Sequence, residues 1–444
     1  MNSSQWSSRA RLLLLVAASL LACAGAPRAV KAPPEPPADW TVLVFMNGDN
    51  NLEPQALSDF IEMNSVGSSE KLKVVVQFDR NGRYDSRYDG WKDTRRFLVR
   101  RNIDPNANAE LQVLGEANMG DPKVLEDFVR WGMRTYPARH YALIIWDHGQ
   151  GYRDLTVAPR AEVSRSVSGA AFRSVSHDET NRDQLYNSEV QQALRNALQG
   201  RKLDLLGFDA CLMAMVETAY AMREFADVMV ASEDLEPGDG WAYHLWLKQL
   251  RNHPDSSAEQ LARSIVDTYP LDYRPSPNES TDRLTLSVVR LEALEPLASA
   301  VSDLADTLVR TLDSEVRLIQ QARQASPVLA RDHPNPGDQR FHHVDLTKFV
   351  QEYLGRTQDP NVRRALERVR SLNQQAVLQS FVGPVRADEG ASGLAIYFPA
   401  GRRAYATDVY EEHGYQKDNT RYPVAFVQEQ KWADFLHAYF TRVP

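Results

Sequence analysis

Cysteine is scarce in this chain of 444 residues, which has only Cys23 and Cys211. Cys23 ends an apolar leader, so a chain that loses the leader keeps a single free thiol in its folded part. Two cysteines in these positions exclude a framework of intrachain disulfides, even in an exported protein. The fold must therefore be stabilised by a large hydrophobic core, which roughly 420 residues can supply.

Long hydrophobic runs are absent beyond the leader, which excludes an integral membrane protein. Within residues 1–22, the run Leu12–Ala22 follows Arg9 and Arg11, and the segment has no acidic residue. The run is too short to span a bilayer, and its charge order is that of a secretory signal. Residues 1–22 are therefore predicted to be a signal peptide.

The leader ends in Leu20-Leu21-Ala22-Cys23, which resembles the bacterial lipobox. In that motif the cysteine is lipidated and becomes the mature N-terminus, so Cys23 is the predicted lipid anchor and the leader a lipoprotein signal. Ala24 follows, where an aspartate would indicate retention at the inner membrane, and this favours the outer membrane or the cell surface. The alternative is an ordinary cleaved signal with Cys23 incidental, which predicts a secreted protein.

An excess of positive charge is also absent. The formal net charge is −8, and removal of the two leader arginines makes it more negative. This argues against nucleic acid as the main partner, because nucleic-acid-binding domains carry basic patches. The acidic balance weakly favours cationic ligands.

Beyond the leader, three regions differ in pattern. Residues 23–39 are rich in proline and are predicted to form a tether. Residues 40–290 alternate apolar strands with amphipathic helices, which indicates an α/β domain on a parallel sheet covered on both faces. Within it, residues 152–182 have no convincing element and are predicted to be a flexible loop. Residues 291–444 are predicted to be mainly helical, with one strand near 394–398 that returns to the sheet.

The elements of the α/β domain can be bounded from periodicity and helix caps. Asp121, for example, is the expected cap of a helix that begins at Pro122. The predicted strands are Thr41–Phe45, Leu72–Phe78, Tyr141–Trp146, Leu203–Phe208 and Val228–Ala231, and the predicted helices are Gln55–Met63, Pro122–Arg134, Ser188–Leu198 and Met213–Phe225.

Two of these strands are followed by residues with reactive side chains. Tyr141–Trp146 is followed by His148 and Gly149, and Leu203–Phe208 is followed by Cys211. Ligands of open parallel sheets bind where the strands end at their carboxyl edge, so both side chains are expected there. A lone cysteine and a histidine at matching strand ends indicate a thiol nucleophile and its base.

The backbone around Cys211 predicts further features of such a site. Cys211 is expected to open a helix over Leu212–Phe225, whose positive end lowers the pKa of a thiol. The amides of Gly149 and Cys211 are candidate donors to an oxyanion. Asp209 lies two residues before Cys211, so an extended backbone directs both side chains to one face. Its carboxylate either holds a cationic substrate side chain, repels the thiolate, or is a structural group satisfied by nearby amides.

Metal ligands at diagnostic spacing are absent from the sequence. The pair His342-His343 near Asp345 has no second pair at ligand spacing, and we interpret it as surface or packing histidines. The run Asp49-Asn50-Asn51 after the first strand is interpreted as a turn and helix cap. No metal site is therefore predicted.

Six segments resemble motifs of the clostripain family of cysteine endopeptidases, a family of the caspase-like clan. They occur in a single order and cover most of residues 40–400. The resemblance implies a caspase–haemoglobinase-like three-layer α/β sandwich around a mainly parallel sheet, with a mainly helical C-terminal extension. The catalytic His-Gly and Asp-Ala-Cys motifs are matched by Trp146–Gly151 and Gly207–Ala214, and the other matches are Gly48–Glu53, Asn118–Pro122, Glu236–Tyr243 and Gly393–Pro399.

The same resemblance implies roles for individual residues. His148 and Cys211 correspond to the catalytic dyad, with no required third member. The family prefers Arg, sometimes Lys, immediately before the cut bond, with Asp209 at the acidic position of the specificity pocket and Asp239 as a candidate second carboxylate. A guanidinium that pairs with such carboxylates gives selectivity over neutral side chains. Some relatives depend on calcium, and since the sequence has no recognisable calcium loop, a calcium cofactor stays open.

Relatives are often made as zymogens and cut in the loop between the histidine and the cysteine. The corresponding loop here is rich in arginine, so an Arg-directed enzyme is expected to cut itself there. Arg165 and Arg173 are the foremost candidates. The full set is Arg153, Arg160, Arg165, Arg173 and Arg182.

The leading interpretation is a lipid-anchored cysteine endopeptidase that hydrolyses protein or peptide substrates after Arg or Lys through a thioester acyl-enzyme. One alternative is a catalytically silent caspase-like lipoprotein that binds at the cell surface, but the intact His148, Gly149 and Cys211 weigh against it. The other is a peptide ligase, transferase or amidase on the same dyad. That alternative depends on whether water or an amine takes the acyl group.

Overall fold

The computed structural model describes residues 37–103, 110–149, 175–271, 281–329, 342–410, 415–420 and 423–443. The predicted signal peptide, Cys23 and most of the tether lie outside these ranges. The last two residues of the predicted tether, Ala38 and Asp39, already belong to the first strand. None of the described helices is long and apolar enough to cross a membrane.

The central strands are runs of Val, Leu, Ile and Phe that are buried on both faces, as in parallel sheets covered on two sides. Among the described residues, nine strands form the main sheet, and two pairs form small separate sheets. In chain order the described strands are β1 (Ala38–Gly48), β2 (Leu72–Arg80), β3 (Thr94–Leu98), β4 (Glu110–Gly115), β5 (Ala138–Trp146), β6 (Val175–Asp178), β7 (Asp183–Leu185), β8 (Leu203–Asp209), β9 (Ala226–Ala231), β10 (Thr285–Arg290), β11 (His343–Asp345), β12 (Val377–Val382) and β13 (Ala395–Tyr397).

The order of strands in the main sheet is β12-β10-β9-β8-β5-β1-β2-β3-β4. The five central strands, β9 to β2 in this order, pair in parallel. The outer strands pair antiparallel with their neighbours at both edges. In the centre, Val44 of β1 is in register with Val76 of β2 and Ile144 of β5. The predicted mainly parallel sheet is confirmed.

Helices cover both faces of the sheet and complete two hydrophobic cores. Leu43 and Ile145 belong to one core, and Val44 and Ile144 belong to the other, because successive side chains of a strand point to opposite faces. This arrangement confirms the three-layer sandwich. The described helices are α1 (Glu53–Val66), α2 (Pro122–Thr135), α3 (Asn187–Leu198), α4 (Val216–Met222), α5 (Tyr243–Asn252), α6 (Ala258–Thr268), α7 (Leu294–Gln324), α8 (Leu346–Leu354), α9 (Pro360–Ala376), α10 (Pro384–Glu389), α11 (Arg402–Tyr410), α12 (Ala425–Glu429) and α13 (Trp432–Arg442).

The C-terminal region is mainly helical and contributes one strand to the main sheet, but not the predicted one. The strand near 394–398 is present as β13, and it pairs with β11 in a separate two-stranded sheet. The strand that joins the main sheet is β12, which pairs antiparallel with β10. Because β12 follows α9 at Val377 without a glycine or proline between them, the apolar pattern of the helix hides the start of the strand.

The helix predicted to begin directly after Cys211 begins later, since α4 covers only Val216–Met222. The residues between Cys211 and α4 bond to the segment that follows β9. The amide of Leu212 donates to the carbonyl of Asp234 at 3.0 Å, and that of Ala214 donates to Ser232 at 2.7 Å. Leu212 also has a φ of +60°, which is outside the right-handed helical region. Tertiary hydrogen bonds thus replace the expected first helical turns.

The last part of the predicted loop 152–182 is an ordered hairpin. β6 and β7 pair antiparallel, and the carboxylate of Asp178 closes the turn by accepting from the amide of Asn181 at 2.7 Å. Gly149 forms an isolated antiparallel bridge with Val175, which fixes the start of the hairpin at the end of β5. The short polar sequence of β6, Val-Ser-His-Asp, gives no recognisable strand pattern.

Candidate active site

His148 and Cys211 lie at the same edge of the sheet because β5 and β8 are neighbours. Trp146 is in register with Asp209, and each reactive residue lies two positions beyond this pair. Gly149 packs directly against the cysteine: a Cβ atom added to it would lie 2.5 Å from the carbonyl oxygen of Cys211 and 2.9 Å from its amide nitrogen. Only glycine therefore permits this approach of the two strand ends.

Polar groups on both sides hold the turn that carries His148. The Nε2 atom of His148 lies 3.0 Å from Oδ1 of Asn51, in the turn after β1. The buried carboxylate of Asp147 accepts from the amides of His148 and His177 and from the side chain of Asn50. Burial, with a smaller effect from His177, lowers the pKa of His148 to about 3. The imidazole is therefore neutral near pH 7, the form that can accept a proton.

The thiol of Cys211 is half-buried and is held by the loop after β9. Its Sγ accepts a hydrogen bond from the amide of Glu236 at 3.2 Å. Burial raises the pKa of the Cys211 thiol to about 12, and the nearby carboxylates of Glu236, Asp234 and Asp209 contribute to the rise. The predicted lowering by a helix terminus is wrong, because α4 begins five residues later, at Val216. The resting sulfur is thus a thiol that needs a base or a nearby cation.

Three carboxyl groups form what we call the acidic pocket, which consists of Asp59, Asp209 and Glu236. Aromatic side chains lie beside these carboxyl groups and donate hydrogen bonds to them. The hydroxyl of Tyr243 donates to Asp209 at 2.9 Å, and the indole nitrogen of Trp146 donates to Asp59 at 2.7 Å. Asp59 and Asp209 are 2% and 4% exposed, so these negative groups are almost removed from water. Carboxyl groups flanked by aromatic side chains favour a cation with a planar apolar body.

The backbone of Gly240 brings two of these carboxylates together. Its φ is +58°, and a Cβ atom added there would lie 2.9 Å from Asp59 Oδ2 and 3.3 Å from both oxygens of Asp209. Burial raises the pKa of Asp209 to about 6, against the hydrogen bond from Tyr243. Burial and the charge of Asp209 raise the pKa of Glu236 and of Asp59 well above the usual range. The three groups cannot all ionise without a cation between them.

Only part of the acidic pocket was predictable. Of the two predicted carboxylates, Asp209 is a member of this group, whereas Asp239 lies exposed at the surface and contributes through its charge to the raised pKa of Asp59. Asp59 and Glu236 are pocket members that the sequence analysis missed. An acid beside Phe60, on the buried face of a helix, is the signal that marks Asp59. Glu236 opens one of the matched segments.

The C-terminal region fixes the loop that holds the cysteine. Asp234 forms a buried ion pair with Arg386 of α10, and Glu233 accepts from the amide of Gly393 at 2.8 Å. Both acids lie within three residues of Glu236, whose amide donates to the thiol. The helical extension therefore positions one wall of the site, a role that its sequence does not reveal.

A second group of acids, which we call the carboxylate cluster, consists of Asp49, Asp79, Glu116 and Asp178. Each offers one oxygen, and these oxygens lie within 4.8 Å of one another. The cluster is distinct from the acidic pocket, with which it shares no residue. His343 is fully buried in β11, in agreement with its interpretation as a packing histidine.

The predicted processing sites fall mostly outside the described residues. Arg182 lies in the turn of the β6–β7 hairpin, where it is exposed and has a φ of +56°. The other candidates are outside the described ranges, and these are Arg153, Arg160, Arg165 and Arg173.

Comparisons with known proteins relate most of the chain to one family. The model of the clostripain family matches residues 44–439. Clostripain from Hathewaya histolytica is 28% identical over 422 residues, which cover 83% of this chain and 76% of the relative. The fold is similar to that of a secreted cysteine protease from Bacteroides thetaiotaomicron in complex with an irreversible peptide inhibitor, with a TM-score of 0.59, 20% identity and coverage of 90% and 99% of the two chains. An inactive zymogen protease from Parabacteroides distasonis gives a TM-score of 0.58 and 18% identity, with coverage of 83% and 94%.

Proposed function

Since the chain belongs to the clostripain family and is a cysteine-type endopeptidase, we propose that it hydrolyses peptide bonds after Arg or Lys, with Cys211 as nucleophile and His148 as base. The observation that carries this proposal is the buried acidic pocket beside the thiol. Asp59, Asp209 and Glu236 form no ion pair with a basic side chain of the described residues, and burial raises the pKa of each. An Arg side chain brings the missing cation.

The reaction begins with transfer of the thiol proton of Cys211 to His148. Because Oδ1 of Asn51 can only accept, its contact with Nε2 implies that this nitrogen carries the hydrogen and that Nδ1 takes the proton. The sulfur then attacks the carbonyl carbon before the cut bond, and the amides of Gly149 and Cys211 are the candidate donors to the oxyanion. The imidazolium returns its proton to the leaving amine, and water hydrolyses the thioester.

Substrate binding itself helps to activate the thiol. Glu236 and Asp209 contribute to the raised pKa of Cys211. A guanidinium between these carboxylates offsets their charge, so the pKa of the thiol falls when the correct substrate binds. Neutral side chains leave the pocket uncompensated, and they should therefore react slowly as well as bind weakly.

The decisive experiment compares fluorogenic peptides that differ only in Arg, Lys or Ala before the cut bond, with the mature chain and its Cys211→Ala variant. Hydrolysis of the Arg and Lys peptides that disappears in Cys211→Ala supports the proposal. Equal hydrolysis of the Ala peptide contradicts the role of the acidic pocket. An added amine nucleophile distinguishes hydrolysis from transfer, since a transferase yields the amine adduct as its main product.

Processing and anchoring are further parts of the proposal. We propose that Cys23 is lipidated in an exported protein at the outer membrane or cell surface, and that the enzyme activates itself by cleavage within residues 152–182. The name of the Parabacteroides distasonis neighbour describes an inactive zymogen, which supports the second idea. Intact-mass analysis of a fully active preparation tests it, and an uncut chain contradicts it. Metabolic labelling with a fatty acid, lost in Cys23→Ser, tests the anchor.

A further inference from the structure

The carboxylate cluster brings together acids from four distant parts of the chain. Asp49 lies in the turn after β1, Asp79 in β2, Glu116 just after β4 and Asp178 at the end of β6. Asp49, Asp79 and Asp178 are fully buried, and Glu116 lies at the exposed rim. Such a concentration of buried carboxylates is unfavourable unless a cation or protons offset the negative charge.

The hydrogen bonds of the cluster leave two buried oxygens without a donor. Asp49 Oδ2 accepts from the amide of Thr180, and Asp79 Oδ1 accepts from the hydroxyl of Thr94. The other oxygens of these two side chains, Asp49 Oδ1 and Asp79 Oδ2, are buried and accept no hydrogen bond from an amide or hydroxyl group of the described residues. The carboxyl group of Asp49 also lies within hydrogen-bond reach of Asp178, another member of the cluster. Buried polar atoms of this kind normally have a partner, so each such atom requires an explanation. A bound cation would supply the missing partner.

The donor set favours calcium. All four ligands are carboxylate oxygens, which bind hard cations. Mg²⁺ usually keeps several waters and binds one or two carboxylates, whereas Ca²⁺ takes about six to eight oxygen ligands in a flexible geometry. Four carboxylate oxygens within 4.8 Å of one another therefore fit Ca²⁺ better. We propose that Asp49, Asp79, Glu116 and Asp178 form a calcium site that joins the β6–β7 hairpin to the turn after β1.

Both segments joined at this site also hold His148. Asp49 directly precedes Asn50, whose side chain donates to Asp147 at 2.8 Å and to the carbonyl of His177 at 2.9 Å. The next residue, Asn51, contacts Nε2 of His148. His177 precedes Asp178 in β6. The ion therefore stabilises the segments that hold the base, on the hairpin at the end of the predicted processing loop.

The test measures binding in the mature chain with Cys211→Ala, so that proteolysis plays no part in the readout. After removal of metal with a chelator, calcium is titrated by calorimetry, and the Tm is measured with and without the ion. We expect calcium to bind and to raise the Tm. In Asp79→Asn the calcium affinity should fall at least about 100-fold, while the Tm in chelator rises, because one of four repelling charges is gone.

Two further variants keep the test decisive. Glu116→Gln changes a carboxylate at the exposed rim, and it should also weaken calcium binding. It takes the place of Asp79→Asn in the test if that variant fails to fold. Asp313→Asn is the matched control, since the Asp313 side chain is 92% exposed and lies outside the cluster, and it should bind calcium normally. The site is refuted if the Cys211→Ala chain neither binds calcium nor changes its Tm at millimolar calcium, or if Glu116→Gln and Asp79→Asn keep full affinity. Equal affinity for magnesium contradicts the choice of ion.

Discussion

Two buried groups of acids lie near the carboxyl edge of one sheet, but different groups surround their oxygens. In the acidic pocket the donors are the hydroxyl of Tyr243 and the indole of Trp146, together with the backbone amide of Trp241. In the carboxylate cluster the donors among the described residues are three backbone amides together with the side chains of Thr94 and Asn181. Carboxyl groups flanked by aromatic side chains fit an organic cation, whereas four carboxylate oxygens within 4.8 Å of one another fit a metal ion. Both groups consist of acidic side chains, but they are suited to different ligands because different groups surround their oxygens.

The largest effect is expected from Asp209→Asn in the acidic pocket. Loss of a buried carboxylate that pairs with the substrate cation should lower kcat/KM for Arg peptides about 1,000-fold. The value of kcat/KM for an Ala peptide should change little. The ratio of kcat/KM for the Arg and Ala peptides therefore measures the contribution of the Asp209 charge. Steady-state kinetics with both peptides provide the measurement.

The matched control is Asp178→Asn, which removes one buried carboxylate from the carboxylate cluster instead. It should keep the preference for Arg over Ala while its calcium affinity falls. If both variants lost the Arg preference equally, the distinction between the two groups of acids would be wrong.

A smaller effect is expected from Asn51→Ala, in the turn that links the carboxylate cluster to the base. Loss of the contact with Nε2 frees the imidazole to rotate, so kcat should fall about 10- to 100-fold while KM stays constant. The conservative Asn51→Gln should recover part of the rate. A rise in KM at unchanged kcat would assign Asn51 to substrate binding instead.

The pH dependence of the acidic pocket should be visible in kinetics. Because the pKa of Asp209 is raised to about 6, its carboxylate is charged above this pH and neutral below it. Its attraction for Arg is therefore present above pH 6 and lost as the pH falls through that value, so KM for Arg peptides should rise on the acid side. The matched measurement uses Asp209→Asn, in which this acid limb should disappear. If KM for Arg peptides still rose at acid pH in Asp209→Asn, the rise would be due to the titration of another group.

The smallest effect is expected from Asp239→Asn. This carboxylate is exposed, and water and salt screen its action on the pocket. KM for Arg peptides should rise about two- to threefold at low salt, and the difference should vanish at high salt. A loss as large as that of Asp209→Asn would show that the loop closes over the substrate and buries Asp239.

Much of the scaffold was predictable because its signals are local. The central strands are continuous apolar runs, and the helix at Pro122 has its cap and its proline at adjacent positions. The lone cysteine and the histidine were identifiable because each follows such a strand. The start of the helix after Cys211 was mispredicted. The helical periodicity is present in the sequence, but Leu212 and Ala214 donate hydrogen bonds to Asp234 and Ser232, far along the chain, instead of forming the first helical turn.

The sequence by itself determined the sheet, its layers and the placement of His148 and Cys211 at one edge, because hydrophobic periodicity acts over a few neighbouring residues. Only the tertiary structure decided which acids surround them. Asp59 joins Asp209 from a helix, and Asp178 meets Asp79 from a hairpin, across long stretches of chain. Electrostatic and ligand-binding properties depend on the distances between side chains in space. A local pattern of residues does not indicate those distances when the side chains come from distant parts of the chain.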